Sequence, residues 1–128
     1  MNTNKRAGFT LVELLTVIAI IALLAALILG LAGNAQKKAA RDRANAEITQ
    51  LSSFVGDYLA QYGQVPQNLA TLSNALKAAN HSLTNLQDPW GMSYKYEASS
   101  KVTFYLWSLG GDLSATGTNR AMWIGSAP

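Results

Sequence analysis

FTLVELLTVIAIIALLAALILGL, residues 9–31, is apolar on every face of a helix and holds one formal charge, Glu13. At a rise of about 1.5 Å per residue the stretch reaches roughly 35 Å, enough to cross a hydrocarbon core of about 30 Å. A carboxylate costs roughly 2.5–3.5 kcal/mol at the centre of such a core, so Glu13 calls for a partner or a function. Residues 1–8 are short, polar and basic, with Lys5 and Arg6 just before Ala7-Gly8. A secretory signal peptide has a shorter apolar core, about 7–15 residues, followed by a small-residue cleavage motif; Gly33-Asn34-Ala35 imitates that motif. A plain signal anchor accounts for the length but not for an acid so near the start of the run. The core helix of a soluble protein is rarely apolar all round.

Outward from this stretch, composition sets further bounds. The chain has 128 residues, room for one small domain and the apolar segment. Charged residues make up 13%, against about 25% in an average globular chain. The formal charge is +3, but setting aside Lys5 and Arg6 takes the 10 basic side chains to 8 against 7 acidic ones. A nearly neutral remainder lacks the basic footprint that phosphate backbones require, so no nucleic-acid partner is expected. Cysteine is absent, which excludes a disulfide framework, a thiolate metal site and a cysteine nucleophile.

The helical pattern continues past the apolar run. Ala44, Ile48, Leu51, Val55, Tyr58 and Tyr62 recur at three- and four-residue steps, while Arg41, Arg43, Glu47, Gln50, Asp57 and Gln61 mostly take other faces. One helix from Phe9 to Tyr62 is expected, apolar all round in its first half and amphipathic in its second. Gly30 and Gly33, with Asn34, sit where the two halves meet; each glycine weakens a helix by about 1 kcal/mol relative to alanine. They read either as a hinge or as small-residue packing between helices. Gly63 supplies a left-handed cap, Pro66 turns the chain, and a second helix is expected over Leu69–Ala79 with Leu69, Leu72 and Leu76 facing the first.

Asp88-Pro89-Trp90-Gly91 reads as a turn in which proline fixes φ, glycine frees it and aspartate bonds nearby backbone. Strands are expected at Ser93–Glu97 and Val102–Ser108, with a short third one at Met122–Ile124. The fold class is therefore α+β: a long N-terminal helix packed on a short second helix and a small antiparallel β-sheet. Catalytic constellations are lacking. His81 is the only histidine and reads as a solvated or capping residue. The acidic residues show neither metal nor acid–base spacing. Trp90, Trp107 and Trp123 read as core and sheet packing.

Ala7-Gly8-Phe9-Thr10-Leu11-Val12-Glu13-Leu14 resembles the prepilin signature of type IV pilins and type II secretion pseudopilins. The resemblance implies cleavage between Gly8 and Phe9 by a prepilin peptidase, N-methylation of Phe9, and pairing of Glu13 with the N-terminal amine of a neighbouring subunit. It divides the chain into a leader (1–8), a transmembrane and filament-core helix (9–31) and a pilin-like head with the amphipathic half of the helix (32–128). Tyr62-Gly63-Gln64-Val65-Pro66, Leu86-Gln87-Asp88-Pro89-Trp90-Gly91 and Ser108-Leu109-Gly110-Gly111-Asp112 are similar to segments of the major pseudopilin of type II secretion systems. In that family the last of these opens a calcium loop, for which Leu109, Asp112 and Asn119 would offer oxygens here. Arg120 brings the opposite charge to the same place, and the alternative is a glycine-rich loop closed by hydrogen bonds and Trp123 with no cofactor.

The implied function is that of a structural subunit, not an enzyme, polymerised into a type II secretion pseudopilus to drive protein export. Implied partners are further copies of the chain, other pseudopilins, the peptidase, an inner-membrane assembly platform and its ATPase, and membrane lipid before assembly. The implied location is the bacterial inner membrane, single-pass with the C-terminal domain in the periplasm. Lys37, Lys38, Arg41 and Arg43 outnumber Lys5 and Arg6 and oppose that orientation on a simple positive-inside count; the prepilin signature outweighs it. A type IV pilus subunit for adhesion, motility or DNA uptake and a signal-anchored periplasmic binding module are the alternatives.

Overall fold

Thr10 starts the long helix by a reciprocal cap. Its hydroxyl accepts the Glu13 N–H at 3.2 Å, its own N–H donates to Glu13 Oε2 at 3.3 Å, and its carbonyl takes the Leu14 N–H. This Thr-x-x-Glu box satisfies two donors that a helix start leaves open. A computed structural model of the chain describes residues 8–112 and 119–128. Lys5, Arg6 and Ala7 lie outside the described residues. Helix α1 runs Leu11–Tyr62, through Gly30 and Gly33 without a break in assignment. The chain divides into two compact units, Met1–Lys37 and Lys38–Pro128.

In the first unit, the described part of the helix buries nothing. Phe9 is 85% exposed and Leu29 76%, and the apolar side chains between them are exposed on all sides. Such a surface is stable only when something other than water covers it.

The second unit has its own core. Ala44, Ile48, Leu51 and Val55 of α1 meet Leu72 and Leu76 of α2 (Leu69–Ala78), with Val65 of the connection and Leu86, Tyr94, Leu106 and Ile124. Gly63, at φ +72°, ends α1 as foreseen, its N–H donating to the Leu59 carbonyl. Asn68 caps α2 by accepting the Thr71 N–H at 2.8 Å. At the other end Asn80 takes the left-handed conformation, so that its N–H reaches Lys77 O and the His81 N–H reaches Leu76 O. His81 then accepts the Leu83 N–H on Nδ1 at 3.1 Å, which closes the turn beyond the helix and does not cap α2.

Three antiparallel strands follow in the order β1 (Lys95–Ala98), β2 (Phe104–Ser108), β3 (Ile124–Ser126). Tyr96 pairs with Leu106, and Ser108 with Ile124. The strands are shorter than the alternation suggests, because neighbouring backbone groups are otherwise engaged. Tyr94 N–H bonds Leu86 O, so β1 starts at Lys95. Val102 and Thr103 donate to Ser100 Oγ, so β2 starts at Phe104. Arg120–Met122 forms a single 3₁₀ turn, which moves the third strand from Met122–Ile124 to Ile124–Ser126. Gly125 permits this register: a Cβ there would stand 2.4 Å from Leu106 O.

Two residues depart from the expected amphipathic stripe. Tyr62 is exposed, with its ring 4.4 Å from that of Tyr58. Glu47, assigned by pattern to another face, is buried at 6% exposure.

Candidate functional site

The residues with chemistry fall into two places, one at the start of α1 and one where the sheet meets the loop after β2. At the first, Gly8 and Phe9 precede the helix in non-helical backbone and both are exposed. Glu13 stands one helical turn on, with Oε2 turned back to the Thr10 amide. An acid in the first turn also meets the positive end of the helix dipole. The carboxylate is thus held at the level of Phe9–Thr10, beside the bond where cleavage is expected.

The second place is a polar network inside the head. Asp88 is buried; its Oδ1 accepts the Trp90 and Met92 N–H groups at 3.1 and 2.8 Å, and its Oδ2 accepts the Ser108 hydroxyl at 2.7 Å. Ser108 Oγ in turn accepts the Gly110 N–H at 3.1 Å. Gly111 leaves room for Trp90: a Cβ there would lie 2.8 Å from the indole Nε1. The turn Asp88–Gly91 and the stretch Ser108–Asp112, read as separate motifs in the sequence, are therefore one structure. Asp112, buried at 6% exposure, accepts the Asn119 N–H at 3.1 Å, and its own N–H donates to Leu109 O.

The packing of α1 on the sheet was expected, but the bond that ties Glu47 of α1 to Tyr94, just before β1, was not. Tyr94, fully buried, donates its hydroxyl to Glu47 Oε2 at 2.5 Å, while Arg43 Nε donates to Oε1 at 2.8 Å. Burial, and then the bond to Glu47, push the Tyr94 phenol well above its ordinary range. Arg43's own bond to Glu47 holds its guanidinium above its ordinary value. Burial also pushes Tyr96 up to about 12, with its hydroxyl donating to Pro66 O at 2.6 Å. The i, i+4 pair Arg43–Glu47 was visible as charge spacing, but nothing local marked Glu47 as buried. The three tryptophans pack as expected: Trp90 lies against the core, and Trp107 stacks on Trp123 at 6.1 Å. A shallow groove between α1 and α2, lined by Phe54, Tyr58, Tyr62 and Ala79 with Asp57 and Gln61, gathers no catalytic set.

An exposed apolar helix opened by a Thr-x-x-Glu box, carrying a head of one short helix and three strands, defines a membrane-anchored, pilin-like protein. The prokaryotic N-terminal methylation motif matches residues 3–29, and the model of type II secretion system (T2SS), protein G, matches residues 32–127. The chain belongs to the type II secretion system protein G family and is a pseudopilin structural subunit. A surface-pilus role is not favoured over it. Neither a curated protein nor a solved structure matches the chain.

Proposed function

We propose that the chain is made as a precursor, cut between Gly8 and Phe9, methylated on Phe9 and polymerised with its head outside the inner membrane. The observation that carries this reading is the segment of residues 9–31, helical from Leu11, exposed and apolar on every side with a single carboxylate at Glu13. Lipid covers that surface in the precursor pool, and the same segment of neighbouring copies covers it in the filament. On transfer, Glu13 exchanges its local bond to the Thr10 amide for the N-terminal amine of an adjacent subunit. A charged pair removed from water is held far more strongly than either ion alone, which makes this exchange directional.

The partners proposed are other copies, other pseudopilins, the prepilin peptidase, and the assembly platform with its ATPase. The chain serves as building block and as the peptidase's substrate, with no catalysis of its own. Residues 1–8, 9–31 and 32–128 act as leader, core helix and head.

Mass spectrometry of the mature protein tests the processing, with an N-methylated Phe9 expected. A mature chain that still begins at Met1, or that starts after Ala35, would overturn it. Protease added to spheroplasts tests the orientation: the head is expected to be digested, and a protected head would place it in the cytoplasm.

A further inference from the structure

The family resemblance implies a calcium ion in the loop after β2, and the residues of this chain do not fit one. Calcium takes about six to eight oxygen ligands, and its affinity falls as carboxylates are removed. Between Leu109 and Trp123 the sequence holds one carboxylate, Asp112, and one cation, Arg120. Among the described residues no group of three or more His, Cys, Asp or Glu side chains comes together. Asp112 Oδ2 accepts the backbone N–H of Asn119 across the loop. The side chain of Arg120 lies over the ring of Trp123, 5.1 Å from its centroid, which keeps a positive charge beside the loop's end.

A second cation reaches the loop from α1. Arg41 Nη1 donates to the carbonyl of Met122 at 3.0 Å. Gly110 lies at this junction with φ +67°; a Cβ there would stand 1.8 Å from Met122 O and 3.5 Å from Arg41 Nη1. The entry to the loop at Gly110 and its exit at Met122 therefore touch, and the guanidinium sits on the contact. On the entry side the loop is further fixed by Ser108 and Asp88. A guanidinium keeps its charge at any accessible pH and carries five donors in a rigid fork, so its tie to Met122 does not depend on a bound ion.

We propose that Arg41 replaces the divalent cation in this head: it ties the loop exit at Met122 to α1 beside Gly110, and the head closes without calcium. Asp112 serves as an acceptor for the loop's own backbone instead of as a metal ligand. Both partners of the tie lie in the head, so the inference stands independently of processing and assembly.

The full chain in detergent micelles provides the test, by thermal unfolding in chelator and in about 5 mM calcium, above the range of weak extracellular sites at roughly 10⁻⁴–10⁻³ M. The wild type is expected to melt at the same temperature in both. Arg41→Gln is expected to melt about 4–8 °C lower, again with no response to calcium. A calcium-raised melting temperature in the wild type, an unchanged one in Arg41→Gln, or rescue of that variant by calcium would each overturn the proposal. Should Arg41→Gln fail to fold, Arg41→Lys, which keeps the charge but loses the fork, is read instead and is expected to melt below the wild type with no calcium response. Terbium added to the wild type provides a readout that needs no variant. No luminescence sensitised by Trp107 or Trp123 is expected, and sensitised emission displaced by calcium would restore the metal site.

Discussion

Glu13 carries two separable properties, a hydrogen-bond acceptor for the Thr10 amide and a negative charge inside an apolar run. Glu13→Ala removes both, whereas Glu13→Gln keeps an acceptor for the cap and loses the charge. Both variants are expected to insert in the membrane and to fail in assembly, measured as pelletable filament from sheared cells. Filaments from Glu13→Gln at the wild-type level would make the cap, not the ion pair, the function of this residue. A second prediction belongs to the tyrosines. Tyr94 and Tyr96 both have phenols held above an ordinary value of about 10, chiefly by burial. A raised folded-state value means that the stabilisation is fully present below about pH 10 and is lost as pH rises through the folded values. The melting temperature of the head is therefore expected to be flat toward alkaline pH up to about 9.5 and to fall from about 10 to 12 and beyond. Tyr94→Phe should lower stability by roughly 1–3 kcal/mol at neutral pH, because it leaves the buried Glu47 short of a donor, and should flatten the alkaline limb.

The elements show why some of the fold was legible and some was not. Helix α1 and its end at Gly63 are written in contiguous residues: an apolar run, a stripe at three- and four-residue steps, and a glycine where φ must be positive. Gly63→Ala should cost roughly 1–2 kcal/mol for placing a side chain in the left-handed region, read as a lower melting temperature with unchanged helical content. The Thr10–Glu13 box is equally legible as Thr-x-x-Glu in contiguous residues. Strand ends were not legible. They depend on whether Ser100 Oγ, Leu86 O or Asn119 O captures a backbone group first, and these choices are set by tertiary structure. Glu47 is the clearest case: its partner Tyr94 lies 47 positions away, and no periodicity announces such a bond. Asp88 was read correctly as a turn residue, yet its second oxygen, on Ser108, makes it the anchor of the next loop.

At the level of the whole molecule, the anchor and the head answer to different forces. The head has a core of its own, whereas the apolar segment of residues 9–31 has none and, on the proposed function, is covered by lipid or by other copies. Because the chain lacks cysteine, a single Leu24→Cys introduces the only thiol. Oxidation of assembled material is expected to give disulfide-linked dimers through this helix, and the same substitution on the Glu13→Gln background is expected to give far fewer. Equal yields from the two would separate helix packing from the charge at position 13. Substitutions in the head should leave this cross-linking unchanged so long as the head folds, since sites that share no partner are additive.

The stacked pair Trp107 and Trp123, 6.1 Å apart with rings inclined by 26°, also makes the head its own optical gauge. Two indoles that close couple their transition dipoles, and the coupling splits their circular dichroism into a signed pair of bands that separated indoles do not show. Trp123 follows Met122, the residue that Arg41 holds, so the amplitude of that couplet reports whether the end of the loop is docked. The closing of the head can be timed in stopped flow on the unlabelled chain.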